Sequence, residues 1–167
     1  MESRNESRVG NFNEGRLPDS KAGVRSPGRA DELRLLFVGD IVGTPGVDVT
    51  CKAIPVLREQ HELDLVVVNG ENAENGSGIT KAIFNRLRDH GVDGVTLGDH
   101  IYRKREIIPI LESDAPVIRP ANYPPEAPGR EWMTLITTSG VPFCVVSLIG
   151  RVFMKPADCP CHAADRI

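Results

Sequence analysis

The chain has 167 residues, enough for one domain with a real core and barely enough for two. Its 20 basic and 23 acidic side chains leave a net charge of −3, which speaks against a bulk nucleic-acid surface, and an aromatic share of 5% speaks against a stacking platform for single strands. Apolar spans of the length that membranes or secretion signals need are absent, so a soluble, cytoplasmic, disulfide-free protein with no membrane partner is expected.

Residues 1 to 32 are rich in Ser, Asn, Gly and Arg and carry no apolar period, so they read as a disordered tail. The acids Glu2, Glu6, Glu14 and Asp19 count against a transit peptide. Order is expected from "LRLLFV", a first strand closed by Gly39-Asp40. The Gly/Pro loop after it leads into a helix to about Gln60, which Pro55 should kink or shorten. "LDLVVVNG" is the second strand and "ITKAIFNRLRDHG" the second helix, with Ile79, Ile83, Phe84 and Leu87 on one face and Gly91 at its end. "VDGVTLGDH" is the third strand, and "RKREIIPILES" a third helix interrupted by Pro109. "VIRPANYPPEAPGR" reads as an irregular proline-rich loop, and "EWMTLITTSGVPFCVVSL" as a hairpin around Ser139-Gly140. The segment from Ile149 onward reads as a tail with no closing element. Of the four cysteines, Cys51 and Cys144 sit in apolar segments and are expected in the core, while "CPCH" lacks the second pair of ligands that a zinc site needs.

Strand and helix alternate, and the strands are continuously apolar, as in an α/β protein whose parallel sheet is covered on both faces. In such sheets ligands bind beyond the carboxyl ends of the strands. The three predicted strands end there in Gly39-Asp40, Gly70-Glu71-Asn72 and Gly98-Asp99-His100. Singly, Asp40 and Asn72 are ordinary turn residues and His100 an ordinary surface histidine; the coincidence of three such ends points to a site. Carboxylates gathered this closely raise one another's pKa unless a cation sits among them. A pair of divalent ions about 3.5–4 Å apart, with Glu71 able to bridge them, would also hold a phosphoryl oxygen and activate a water. Mixed oxygen and nitrogen donors suit manganese, iron or zinc better than calcium. Rival motifs fail: "GTPG" lacks the Lys-Ser/Thr of a phosphate-binding loop, and no G-x-S-x-G is present.

The blocks "LRLLFVGDIVGTPG", "VVVNGENAENGSGIT", "TLGDHIYRKREI", "VIRPANYP" and "SLIGRVFM", in this order from about Leu33, resemble the YmdB-type metallophosphoesterases. These are calcineurin-like enzymes classed as 2',3'-cyclic-nucleotide 2'-phosphodiesterases. The resemblance implies that residues 33 to 167 form the amino-terminal portion of a four-layer α/β/β/α sandwich with a dinuclear metal site. It implies that Asp40 and Asn72 bind the first metal, Glu71 bridges both, Asp99 binds the second and His100 is the general acid. The implied partner is a small-molecule cyclic nucleotide, and the open edge of a half sandwich leaves a homo-oligomer open. The chain departs from the family pattern in two places. Asp99 stands where the family usually has Asn, and the family's D-F-H-A-E and G-T-H-T-H blocks, which supply further histidine ligands downstream of "GRVFM", do not occur, so the chain reads as truncated at its carboxyl end. The function expected is a metal-dependent phosphodiesterase; the alternative is a non-catalytic relative that binds a nucleotide or a partner at the same crevice.

Overall fold

A computed structural model of the chain describes residues 32–167; the expected tail, Glu32 apart, lies outside the described residues. Four parallel strands, β1 (Leu35–Val38), β2 (Leu65–Asn69), β3 (Gly94–Thr96) and β4 (Val117–Ile118), lie side by side in chain order. Crossovers run through α1 (Gly43–His61), α2 (Lys81–Asp89), and a single 3-10 turn (Arg105–Ile107) that continues into α3 (Ile108–Leu111). A two-stranded antiparallel sheet follows, β5 (Trp132–Ile136) and β6 (Pro142–Val146), and α4 (Pro160–Arg166) ends the chain.

The valine run of β2 explains the layering. Side chains alternate across a strand, so each face of β2 is apolar. Val66 and Val68 pack toward the helices, in one cluster with Val47, Cys51 and Ile54 of α1 and Phe84 and Leu87 of α2. Leu65 and Val67 face the other way, in a second cluster with Ile118 and with Met133, Leu135 and Val145 of the hairpin. The described residues thus stack as helices, parallel sheet and second sheet, a mixed α/β architecture in the order that the α/β/β/α reading requires. Gly94 permits the sheet-on-sheet contact, because a Cβ there would collide with the end of Met133.

Local signals account for most boundaries. Thr80 caps α2, its hydroxyl accepting from the Ile83 N–H at 3.2 Å. Gly91, at φ +91°, turns the chain out of α2 in a conformation that other residues rarely adopt. Arg58 then clamps the end of α1 to this turn, donating to the Gly91 carbonyl at 2.8 Å and pairing with Asp93, whose carboxylate also accepts from the Val66 N–H at 2.7 Å.

The structure corrects several expectations. α1 continues across Pro55 to His61, because Pro55 lies on the exposed side while Ile54 and Cys51 are held in the core. β1 is half exposed, since Leu36 and Val38 pack on the helix side while Leu35 and Phe37 point to the other face and are exposed. Val117 and Ile118 form β4, pulled into the sheet by pairing with Val95 and Thr96. Pro109 opens α3 in its first turn, where a missing N–H costs nothing, so the interruption falls before the helix. Cys144 is exposed, because its strand alternates and it points away from the face of Phe143 and Val145. The carboxyl segment does have a closing element. Buried Asn122 holds Ile149 and the Asp158 carbonyl, Ala163 of α4 is buried, and Arg166 binds Glu131 and the Ala121 carbonyl.

Candidate metal centre

The tips of β1, β2 and β3 lie side by side because the strands are consecutive neighbours in one parallel sheet. Main-chain bonds tie the loops beyond them: Ile41 N–H to the Asn69 carbonyl at 3.0 Å, Gly43 N–H to the Asn72 carbonyl at 3.0 Å, and Gly70 N–H to the Thr96 carbonyl at 3.1 Å. These bonds bring the predicted polar residues onto one end of the sheet.

Glu71, Asp99 and His100 each offer one ligand atom, and those atoms lie within 4.8 Å of one another. The Glu71 carboxylate lies directly over the backbone of Gly98, where any Cβ would collide with it. Its contacts are the His100 N–H at 3.2 Å and the Asn69 amide at 3.4 Å. Burial pushes the Glu71 carboxyl up from its ordinary range, and the nearby Asp99 charge pushes it further. The His100 ring reaches Asp99 at 3.6 Å, outside hydrogen-bond range.

Asp40 joins this group through Asn72. The Asn72 amide nitrogen donates to Asp40 Oδ1 at 2.7 Å, so its carbonyl oxygen faces His100 Nδ1 at 2.5 Å as an acceptor. His100 Nδ1 therefore carries the proton, and Nε2 is the nitrogen left for a ligand or for proton exchange. Asp40 itself is exposed, and its backbone sits at φ +24°. Of the five residues singled out in the sequence, three share ligand distance and the other two are chained to them.

Two further residues belong to the cluster. Asn69, the last residue of β2, accepts from the Glu71 N–H at 3.3 Å and donates to its carboxylate, which fixes the side chain of Glu71 in place. Tyr123 lies near the cluster: burial first, then the Asp99 and Glu71 charges, push its phenol up from the ordinary value. Asn69 stands next to Gly70 in the "VVVNGEN" run, where its turn-forming composition masks its second role.

The donor set fits a divalent cation. Two carboxylates and an imidazole converge with no lysine or arginine bonded to any of them among the described residues, and the partial burial of Glu71 favours a positive partner. Oxygen donors with one imidazole suit manganese, iron or zinc.

The layered fold with polar strand tips defines the class. A crystal structure of a hypothetical protein from Thermus thermophilus superposes with a TM-score of 0.75 at 41% identity, covering 80% of this chain and 52% of that one. The crystal structure of a novel phosphatase from Mycoplasma pneumoniae shares the fold at a TM-score of 0.72 and 21% identity, covering 80% of this chain and 50% of that one. The architecture is the one that these two structures share. Within that class the chain belongs to the YmdB-like protein family, whose profile matches residues 36–167. The chain is also 36% identical over 135 residues to the 2',3'-cyclic-nucleotide 2'-phosphodiesterase of Bacillus subtilis strain 168, covering 81% of this chain and 51% of that protein. It is thus a member of a family of hydrolytic enzymes, and it spans about half the length of the relatives it matches. Among the described residues no helix is long and apolar enough to cross a membrane.

Proposed function

We propose that the chain carries the metal-binding and proton-donating part of a phosphodiesterase that hydrolyses 2',3'-cyclic nucleotides with two divalent ions. The observation that carries this reading is the convergence of Glu71, Asp99 and His100 within 4.8 Å at the tips of β2 and β3. Its likeness to the Bacillus subtilis phosphodiesterase supports the substrate class. In this reading Asp40 and Asn72 would hold one ion, Asp99 the other, and Glu71 would serve both. Bound ions supply Lewis acidity toward a phosphoryl oxygen and lower the pKa of an attacking water. The chain's own residues do the rest. Gly98 leaves the space in which the Glu71 carboxylate lies, and Asn69 fixes its orientation. Asn72 accepts from Nδ1–H of His100, so Nε2 is the nitrogen that faces the reacting oxygen, and it gives up a proton when the ring starts as the doubly protonated imidazolium. Water adds to phosphorus, the bond from phosphorus to the 2'-oxygen breaks, and His100 protonates that oxygen, leaving a 3'-phosphate. Asp99 adds a negative charge facing an anionic substrate, which favours cation binding and weakens substrate binding.

The test is hydrolysis of 2',3'-cyclic AMP by the full chain with manganese, with the products separated. A 3'-monophosphate is expected, lost in Glu71→Ala and reduced by about 10²–10⁴-fold in His100→Ala. Turnover that survives Glu71→Ala unchanged contradicts the proposal. A second reading, a nucleotide-binding module without turnover, is favoured by the single imidazole of the cluster. It requires nucleotide binding that persists in chelator.

A further inference from the structure

Away from the strand tips, the "CPCH" segment (Cys159 to His162) carries two thiols at the start of α4. Cys159 immediately precedes the helix, Pro160 is its first residue, and Cys161 follows. The Cα separation of residues two apart is set by the residue between them. With Pro160 helical, the two cysteines lie about 5.5 Å apart, within the span of a disulfide. Their side chains meet, the Cys161 thiol bonding to the Cys159 sulfur. Main-chain N–H groups, that of His162 first and then that of Cys161, also donate to this sulfur and hold its thiol below the ordinary value of 9.0, and the Arg151 charge adds to the effect. Cys159 is partly exposed and Cys161 exposed, so a small reagent reaches both.

The thiols stand on a fixed support. The Asp158 N–H donates to the Asn122 carbonyl at 2.9 Å, and the buried Asn122 amide donates to the Asp158 carbonyl at 3.0 Å. On the other side, the Cys159 carbonyl accepts from the N–H of buried Ala163 at 3.0 Å. Among the described residues, Glu71, Asp99 and His100 are the one group of three metal-ligating side chains that converges, so Cys159, Cys161 and His162 do not share a metal. What the geometry offers is a pair of sulfurs in contact, one of them surrounded by donors.

We propose that Cys159 and Cys161 form a modification site, at which a peroxide converts the two thiols into a disulfide. The Cys159 thiolate attacks one oxygen of the peroxide, the O–O bond breaks, and the hydroxide that leaves takes up a proton. Cys159 is then a sulfenic acid. The Cys161 sulfur attacks the Cys159 sulfur, the S–O bond breaks, and the proton of Cys161 leaves with the oxygen as water. Two thiols are oxidised to one disulfide, and one hydrogen peroxide is reduced to two waters. Donors around the Cys159 sulfur make it the attacking atom, and the adjoining Cys161 makes it the one with a resolving partner. The other two cysteines lack that combination: Cys51 is buried, and Cys144 is exposed but is the one cysteine of its hairpin.

Exposed Cys144 is the internal control. The full chain is treated with hydrogen peroxide in chelator, which keeps out radicals generated by metals, and its peptides are followed by mass spectrometry. A Cys159–Cys161 disulfide is expected, seen as the loss of two hydrogens from the peptide that carries both cysteines. It should form about tenfold faster than Cys144 gains oxygen, or faster still, and dithiothreitol should reverse it. Cys161→Ser should halt the reaction at a Cys159 sulfenic acid that dimedone traps, while Cys159→Ser should leave Cys161 as slow as Cys144. Oxidation of Cys159 and Cys144 at equal rates overturns the proposal, as does a Cys161→Ser chain that yields no trapped sulfenic acid. Disulfides that join two chains in place of the internal link overturn it as well. None of these readouts needs a bound metal or a nucleotide, so the phosphodiesterase reading can fail without this inference failing.

Discussion

Gly98 and Glu71 depend on each other more than any other pair at the strand tips. The carboxylate occupies the space where a side chain on Gly98 would begin, while Gly39 at the tip of β1 has nothing within 4 Å of a Cβ. Gly98→Ala should therefore displace Glu71 and weaken manganese binding by about 10–100-fold, the range seen when residues that orient ligands are lost. Gly39→Ala should leave binding unchanged. Equal affinities in a fluorescence or calorimetric titration of the two variants would refute this use of the glycine. Asn69→Ala should weaken binding in the same direction, since the Glu71 N–H and one carboxylate oxygen each lose a partner. At this scale the sequence was legible where composition repeated itself, as three glycine-plus-acid strand ends. Asn69 and Tyr123 were hidden because their roles depend on what lies across the loop, which spacing along one strand does not reveal.

Among the elements, α2 is the simplest to test. It begins at Thr80 with a single hydroxyl bond to the Ile83 N–H. Thr80→Ala should destabilise the chain by about 1 kcal/mol, read from chemical denaturation with an unchanged slope. In β2, Val67 is 1% exposed and lies between the two sheets. Val67→Ala should cost about 2–3 kcal/mol through lost burial and the cavity left behind. A loss under half a kilocalorie would show that the second sheet packs loosely on the first. The strands and the first two helices were legible because an apolar run or a 3.6-residue period leaves few alternatives. Pro55 misled because packing of Cys51 and Ile54 outweighs a missing hydrogen bond on the exposed side. β4 was hidden because two residues carry no period, and only their pairing with β3 makes them a strand. Cys144 was misplaced because its strand is apolar on both faces, so alternation alone could not say which face is inward.

Across the whole molecule, the carboxyl segment is fastened back by charge. Glu131 bonds to buried Arg119 at 3.2 Å and to Arg166 of α4 at 2.9 Å. Burial alone would raise its carboxyl, but the Arg166 and Arg119 guanidiniums outweigh this and hold it below the ordinary value of 4.5. A carboxyl whose folded pKa is depressed stabilises the fold above the unfolded value, and the contribution is lost as pH falls through the folded one. Thermal stability should therefore decline below about pH 4.5, and less steeply in Glu131→Gln, which has no such proton to take up. Identical acid limbs in the two proteins would show that α4 is held by packing alone. The parallel sheet was legible from strand-helix alternation, while the layer order came from the resemblance to the YmdB-type enzymes. The attachment of α4 was not legible, since Asn122, Glu131 and Arg166 are far apart in sequence and look like surface residues.

The central claim is that the strand tips form a site for divalent ions, and calorimetric titration of manganese into the full chain tests it most directly. Saturable binding is predicted, at least tenfold weaker in Glu71→Gln, with both proteins melting at the same temperature in chelator. No binding by the unaltered chain, or equal affinity in the variant, would contradict it.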